Sequence, residues 1–222
     1  MSQSSDSGFL AGASPQLREV MASFARPRDL SEGEELFAQG DKGDALYAVI
    51  EGMLEISIIS ADGRKLCLDV MREGAIVGEI ALFDPGPRTA TVTALSASIV
   101  WGIRNADIMA ALRDTPALGA DMLALAGRRM RWMGQQLSEQ VFLTMPARLA
   151  RKILYLTATS GGSEPQLHMS QMELAEFVGA SREAVARTLA LWKREEIIVP
   201  ERRGLRILDR PALTGIAAFP KT

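Results

Sequence analysis

The chain has 222 residues, 47% of them hydrophobic and 23% charged, which is enough apolar material for one large or two small folded domains. No apolar run approaches the ~20 residues of a membrane-spanning helix, and the single cysteine, Cys67, excludes an internal disulfide and a cysteine-rich metal site. The net charge of −2 conceals an asymmetry, because residues 145–222 carry 12 Lys and Arg against 8 Asp and Glu, which favours a polyanionic partner for that part.

The first part of the chain is predicted to be β-rich. Residues 1–13 are rich in Ser and Gly and lack the features of a secretion signal, so we expect a flexible lead-in to a cytoplasmic protein. Short strand-like runs follow from Leu30 to Trp101, and Ala61-Asp62-Gly63-Arg64 predicts a hairpin because Asp-Gly tolerates positive φ. Strands at this spacing predict a sandwich or barrel. The runs are 35–38, 45–50, 54–59, 66–70, 89–94 and 98–103.

Beyond Asn105 the pattern becomes helical, with a short helix over 107–113 and a long one over Ala117–Leu143. Apolar residues at spacings of three and four give the long helix a narrow seam. Such a seam usually meets a second copy of itself, so the pattern favours a parallel homodimer, and packing against the chain's own β domain is the alternative. The seam residues are Leu123, Ala126, Met130, Met133 and Leu137.

A second domain is predicted to begin near Thr144, which can cap a new helix that has Pro146 in its first turn. After a flexible loop over 159–165, Ser170-Gln171-Met172-Glu173 has the pattern of a capping box, and Gly179 permits a sharp turn. Ser181 can then cap a further helix that runs from Arg182 to about Glu195. This order predicts a helix-turn-helix unit.

The second helix of that unit is predicted to have one buried face and one exposed face. Val185, Thr188, Leu189 and Trp192 would point inward, while Arg182, Glu183 and Arg187 would point outward among alanines. Arginine can donate two hydrogen bonds to guanine and a carboxylate can accept from cytosine, so this outward face suits the major groove of DNA. The alternative is an α-hairpin with an ordinary charged surface. Arg202-Arg203-Gly204 between two apolar runs predicts a basic-tipped hairpin, or wing, suited to phosphates.

A second specific segment is Gly78-Glu79-Ile80-Ala81-Leu82-Phe83, which is followed by Pro87-Arg88-Thr89. A glycine beside a helix start exposes backbone amides to an anionic phosphate, and Arg88 can neutralise such a phosphate with two hydrogen bonds. Glu79 can accept a hydrogen bond from a ribose hydroxyl. The segment lacks the Gly-Lys-Ser/Thr of a Walker loop, so phosphoryl transfer is not implied.

Catalytic and metal-binding residues are not predicted. With His168 and Cys67 as the single members of their types, neither the common catalytic triads nor a histidine-rich metal site can be assembled. We therefore expect no enzyme activity and no metal, haem or iron–sulfur cluster. Cys67 is predicted to be a small buried hydrophobe and His168 a surface or strand residue.

The two motifs resemble those of the cyclic AMP receptor protein and fumarate-nitrate regulator (CRP/FNR) superfamily of bacterial transcription factors. The resemblance runs from about Leu30 to Leu208, with Gly78 to Ala90 similar to the phosphate-binding cassette and Val178 to Arg187 similar to the recognition helix. It implies an α+β fold in three parts. These are an N-terminal β-roll (a cyclic-nucleotide-binding jelly roll) over 14–114, a dimerisation helix and hinge over 115–144, and a C-terminal winged helix-turn-helix domain over 145–222.

The resemblance also implies roles for particular residues. Gly78 and Glu79 would contact the ribose and phosphate of a cyclic nucleotide, Arg88 and Thr89 would clamp the phosphate, and Ile80 and Ala81 complete the cassette. A homodimer would bind a pseudo-palindrome whose half-site resembles TGTGA, and RNA polymerase would be a further partner. The DNA-binding residues would be Ser170, Gln171, Ser181, Arg182, Glu183, Arg187, Arg202 and Arg203.

One position departs from the family pattern. The cyclic AMP receptor proteins use a Thr-Ser pair on the long helix to contact adenine, whereas alignment on Arg128-Arg129 places Met133 and Gly134 there. The effector is therefore open between cyclic AMP, cyclic GMP, another nucleotide and none. Two functions follow: a DNA-binding regulator gated by an effector between the β-roll and the long helix, or a nucleotide-binding regulatory module with little DNA function.

Overall fold

The computed structural model describes residues 14–158, 165–202 and 204–218. The predicted N-terminal lead-in, most of the predicted loop over 159–165, and Arg203 of the wing lie outside these residues. The chain divides into two compact units between Arg131 and Trp132. The α+β class predicted from the sequence is confirmed, whereas the three-part division at 114 and 144 stays a prediction.

The first unit contains two antiparallel four-stranded sheets, ordered β1-β8-β3-β6 and β2-β7-β4-β5. Its core lies between the sheets, where Val49, Leu54 and Val100 are fully buried. The predicted hairpin forms, with the Ser60 amide donating to the Arg64 carbonyl at 2.9 Å and Gly63 at φ 80°. The strands are β1 (Arg26–Leu30), β2 (Glu35–Phe37), β3 (Ala45–Glu51), β4 (Met53–Ile59), β5 (Lys65–Arg72), β6 (Ile76–Val77), β7 (Thr91–Ala94) and β8 (Ser98–Arg104).

Helices cover the outer face of the first sheet and form a second core there. Leu17, Ile108 and Leu125 come from three different helices and are each about 1% exposed. Ser14 starts the first helix, since its hydroxyl accepts from the Leu17 amide and Pro15 occupies the first turn. The helices of this unit are α1 (Pro15–Phe24), α2 (Ile80–Phe83), α3 (Asn105–Asp114) and the first part of α4 (Leu118–Phe142).

Helix α4 has 25 residues and is therefore about 37 Å long. Its first turns bury Leu118, Met122 and Leu125 in the second core, so the helix does pack against its own β domain at that end. The predicted seam faces solvent instead. Leu123, Met130, Met133 and Leu137 are 76%, 72%, 52% and 66% exposed.

The second unit begins with the last turns of α4 and packs four further helices with a small sheet. Leu149, Ile153 and Val178 are fully buried in this unit. Its sheet has the order β10-β11-β9, so a short strand joins the predicted hairpin. The elements are α5 (Met145–Leu156), β9 (Gln166–Leu167), α6 (Gln171–Val178), α7 (Arg182–Arg194), β10 (Ile198–Glu201), β11 (Gly204–Ile207) and α8 (Arg210–Ile216).

None of the helices within the described ranges combines the length and the apolar character that crossing a bilayer requires.

Candidate functional site

The Gly78–Glu79 segment joins β6 to the single turn of α2. Gly78 has φ 80°, in the left-handed region that glycine adopts without strain. A Cβ added at Gly78 would lie 2.5 Å from Nη1 of Arg88. Any other residue at this position would therefore strain the backbone and displace the arginine.

Arg88 is buried in the first unit and is 5% exposed. Its Nη1 donates to the Gly78 carbonyl at 3.1 Å, and its Nη2 donates to the Ala45 carbonyl at 2.7 Å. The guanidinium carbon lies 4.1 Å from the centroid of the Phe37 ring, within the range of a cation–π contact. Burial lowers the pKa of the Arg88 guanidinium from its ordinary value, because the charged form is partly desolvated.

The Nε atom of Arg88 is buried and has no hydrogen-bond partner among the described residues. A buried donor left unpaired costs about 1–3 kcal/mol, so a ligand oxygen that accepted from Nε would relieve this cost. An anionic oxygen would also neutralise the partly desolvated charge. The arginine is thus suited to hold an oxyanion.

Two sets of hydrogen bonds fix the loop that carries Arg88. The Arg88 amide donates to the Asp41 carbonyl at 2.7 Å, which ties this loop to the loop between β2 and β3. Nδ2 of Asn105 donates to the carbonyls of Gly43 and Ala81 at 3.2 and 3.1 Å. Because Gly43 lies in the loop between β2 and β3, these two bonds connect that loop to α2. These bonds hold the arginine and the α2 turn at a fixed separation.

Glu79 supplies a buried carboxylate beside this arginine and is 4% exposed. Burial raises the pKa of Glu79, while Arg129 and Arg88 act in the opposite direction. Its Oε1 lies 3.2 Å from Nε of Arg129 on α4. Thr89 is exposed next to Arg88. The structure thus places a carboxylate and a guanidinium close together, and their contacts with a sugar hydroxyl and a phosphate stay a prediction.

Met133 and Gly134 are exposed residues of α4 in the second unit. Their predicted contact with an effector stays a prediction.

The second unit contains a helix-turn-helix whose caps are those expected from the sequence. Ser170 and Glu173 form a complete capping box at the start of α6. Gly179 ends the helix at φ 63°, a left-handed conformation that turns the chain sharply. The Ser181 hydroxyl then accepts from the Ala184 amide at 3.2 Å and starts α7.

The charged face of α7 is exposed. Val185, Leu189 and Trp192 are buried on the opposite side, as predicted. The side chains of Arg182, Glu183 and Arg187 make no hydrogen bond or ion pair with any residue in the described ranges. At about 100° per residue they span roughly 140° of the helix circumference. Their donor and acceptor groups are therefore available to a ligand.

Other predicted DNA contacts are also exposed in the second unit. Ser170 and Gln171 are exposed at the start of α6, and Arg202 is exposed in the turn between β10 and β11. Arg206 and Glu201 form an ion pair across this hairpin, with 3.1 Å between Nε and Oε1. The hairpin thus exposes Arg202 at its turn, within the same unit as the helix-turn-helix.

The sequence reasoning missed the residues that support the cassette. Arg129 had a visible signal, since Arg128 and Arg129 interrupt a largely apolar stretch of α4 over 122–133. Phe37 was identified only as part of a strand. Asn105 had no local signal, because its role depends on contacts with Gly43 and Ala81, which are distant in sequence.

The isolated cysteine and histidine behave as predicted. Cys67 is buried at 2% exposure, and His168 is an exposed residue after β9. Within the described ranges no three His, Cys, Asp or Glu side chains come together in a group that could hold a metal ion.

Comparison with known proteins matches both parts of the chain. Residues 27–115 match the family model of the cyclic nucleotide-binding domain, and residues 147–216 match that of the Crp-like helix-turn-helix domain. A CRP-like cAMP-activated global transcriptional regulator of Mycobacterium tuberculosis is 30% identical over 211 residues, which cover 93% of this chain and 94% of that protein. The cyclic AMP receptor protein of Thermus thermophilus is 29% identical over 187 residues, which cover 84% of this chain and 86% of that protein.

Solved structures show the same fold. The c-di-GMP responsive global regulator CLP of Xanthomonas campestris superposes with a TM-score of 0.77 at 22% identity, covering 87% of this chain and 99% of that one. The fold of the chain, with its β-sheet domain, long helix and helix-turn-helix, therefore matches that solved structure.

Proposed function

We propose that this chain, which belongs to the CRP/FNR superfamily of transcriptional regulators, binds a pseudo-palindromic DNA site as a homodimer under the control of a cyclic nucleotide. Membership rests on the relative that is 30% identical over almost the full length of both chains. The chain is accordingly a regulator with a cyclic nucleotide-binding domain and a helix-turn-helix domain, and its family is not one of enzymes.

The observation that carries DNA binding is the set of unpaired charges on α7. Arg182, Glu183 and Arg187 are exposed and make no ion pair with the described residues, although they lie on a helix whose other face is buried. Arginine forks match the O6 and N7 acceptors of guanine, and a carboxylate matches the amino group of cytosine. We assign these three side chains to a half-site that resembles TGTGA.

The observation that supports a nucleotide effector is the unpaired Nε of buried Arg88. Arg88 and Thr89 would hold the phosphate, Glu79 and Gly78 would contact the ribose and phosphate, and Ile80 and Ala81 complete the cassette. The cassette offers one buried arginine to one phosphate, which favours a cyclic mononucleotide. Cyclic AMP and cyclic GMP are both candidates, since Met133 and Gly134 offer no hydroxyl or amide side chain to distinguish the bases.

The observation that supports a homodimer is the exposed seam of α4. Leu123, Met130 and Leu137 repeat every seven residues and are each at least 66% exposed. Large apolar side chains that repeat in this way are typical of a coiled-coil contact with a second helix. We propose that this contact is with another copy of the chain, that the dimer recruits RNA polymerase, and that it acts in the cytoplasm.

Leu137→Glu tests the dimer. Placing a carboxylate in the seam of both copies brings like charges together in an apolar contact, so we expect a monomer in analytical ultracentrifugation at concentrations where the parent chain is a dimer. Binding to a full palindrome is expected to fall to the level of a single half-site. Ile59→Glu, which places a carboxylate on an exposed apolar residue of β4 outside the seam, serves as the matched control. A dimer that persists in Leu137→Glu would contradict the seam assignment.

The function is tested by fluorescence anisotropy with a duplex that carries two TGTGA half-sites, titrated with and without cyclic AMP, cyclic GMP or cyclic di-GMP. We expect tight, salt-sensitive binding that strengthens at least tenfold with one of the cyclic mononucleotides. Equal affinity for the duplex with and without each nucleotide would contradict the cyclic nucleotide effector while still supporting a DNA-binding regulator. Nucleotide binding without affinity for any palindromic duplex would instead support the regulatory module with little DNA function.

A further inference from the structure

Three basic side chains of α5 contact the end of α4, and the first two of them also contact other helices of the second unit. Arg148 is the first of them. Its Nη1 donates to the Leu143 carbonyl at 3.0 Å and approaches the Gln140 carbonyl at 3.5 Å. Its Nε donates to the Val178 carbonyl at 3.3 Å, and Val178 is the last residue of α6. One guanidinium therefore joins the end of the long helix to the turn that precedes α7.

Arg151 makes a second connection one turn further along α5. Its Nη1 donates to the Glu139 carboxylate at 2.8 Å, and its Nε donates at 2.7 Å to the Ala217 carbonyl at the end of α8. Glu139 is 8% exposed and also accepts from Nε2 of Gln135 at 3.2 Å. This carboxylate is thus held between two donors from different helices.

Lys152 completes the set by donating to the side-chain carbonyl of Gln136 at 2.9 Å. The carbonyls at the end of a helix have no partners within the helix, which is why arginine and lysine side chains are effective there. The bonds made by Arg148, Arg151 and Lys152 span the last two turns of α4. We call these three residues the α5 latch.

The covalent connection between α4 and α5 consists of Leu143 and Thr144 alone. Four backbone dihedrals cannot by themselves fix the angle between two helices. The same two turns of α4 carry Leu137 and Val141 on the opposite, exposed face, at 66% and 63% exposure. These side chains belong to the surface assigned above to the dimer contact, so that surface and α7 are connected through the latch.

We propose that the α5 latch fixes the orientation of α7 relative to the dimer contact, and thereby sets the half-site spacing that the dimer accepts. Arg148 is its principal positioning residue, because one guanidinium bonds both to the end of α4 and to the end of α6. The inference rests on the proposed function, since spacing has meaning only for a dimer on DNA. It adds a second determinant of DNA specificity, separate from the base contacts of Arg182, Glu183 and Arg187.

The experiment measures affinity for palindromes whose spacer is lengthened or shortened by one or two base pairs. Each added base pair moves one half-site by ~3.4 Å and rotates it by about 34° relative to the other. At a saturating concentration of the cyclic nucleotide that it responds to, the parent chain is expected to lose at least tenfold in DNA affinity when the spacer changes by two base pairs. The Arg148→Gln variant is expected to lose less than threefold in DNA affinity over the same series, because the shorter glutamine side chain cannot bridge α4 and α6.

A single half-site duplex separates positioning from stability. Its affinity is expected to stay within twofold of the parent in Arg148→Gln, since α7 and its contacts remain intact. Arg113→Gln, which removes an exposed arginine of α3, controls for the loss of one charge. A variant with lowered half-site affinity and an unchanged spacing preference would show a purely structural role and overturn the proposal.

Two further variants keep the test decisive. The Arg151→Gln variant should also show a weaker dependence of DNA affinity on spacer length than the parent, since the substitution removes the donor to Glu139. If Arg148→Gln does not fold, Arg148→Lys retains the charge without the fork, and a spacing preference as sharp as that of the parent would then refute the latch. A parent chain that binds no duplex would instead contradict the proposed function itself.

Discussion

Replacing Arg182 by alanine is expected to weaken binding to the palindromic duplex by about 30-fold or more. A bidentate arginine–guanine contact contributes ~1–3 kcal/mol of discrimination. Because a dimer makes this contact in both half-sites, the two losses of binding free energy add. The exposed side chain has no described partner within the protein, and its removal should leave the fold unchanged. Unchanged thermal unfolding together with the loss of affinity would establish a contact with DNA.

A base analogue identifies the contact made by Arg182. Replacing one guanine of each half-site by 7-deazaguanine removes the N7 acceptor, and we expect the parent chain to lose affinity at one position. The Arg182→Ala variant should be indifferent to the analogue at that same position. Arg113→Ala, distant in sequence and exposed, should behave as the parent. If both proteins lose affinity equally at every guanine, Arg182 does not contact a base.

Replacing Arg88 by glutamine is expected to weaken cyclic nucleotide binding by about 100-fold or more. The loss of a charged partner from a buried contact typically costs several kcal/mol, because the remaining charge is left unpaired. Glutamine also cannot bond to the carbonyls of Gly78 and Ala45 together. Isothermal titration calorimetry with cyclic AMP and cyclic GMP measures the loss, and thermal unfolding reports any change in the β-roll.

Two variants separate the charge of Arg88 from its structural bonds. Arg88→Lys keeps the positive charge but has no planar fork, so we expect intermediate nucleotide binding. Arg104→Gln removes an exposed arginine that pairs with Asp107, and it should bind nucleotide as the parent does. Nucleotide affinity in Arg88→Gln equal to that of the parent would contradict the assignment of the phosphate to this residue.

The elements that the sequence predicted correctly are those with a local cause. The hairpin at 60–64 forms because Gly63 accepts positive φ, and α6 and α7 begin where Ser170 and Ser181 can cap them. The buried stripe of α7 follows from helical periodicity alone. Helix α1 was missed although Ser14 and Pro15 gave the same kind of signal. Strand β6 was missed because two residues are too short to show a period.

The amino-acid sequence by itself determined which side chains are candidates for contacts with DNA and with phosphate. Capping, turn and periodicity rules act over a few residues, so they place Arg182, Glu183 and Arg187 on one helix face without knowledge of the rest of the fold. Only the tertiary structure decided how Arg88 is held. Its partner Ala45 lies 43 residues away, and Asn105 reaches Gly43 across 62. Contacts at such separations depend on the pairing of distant strands and loops, which no local pattern specifies.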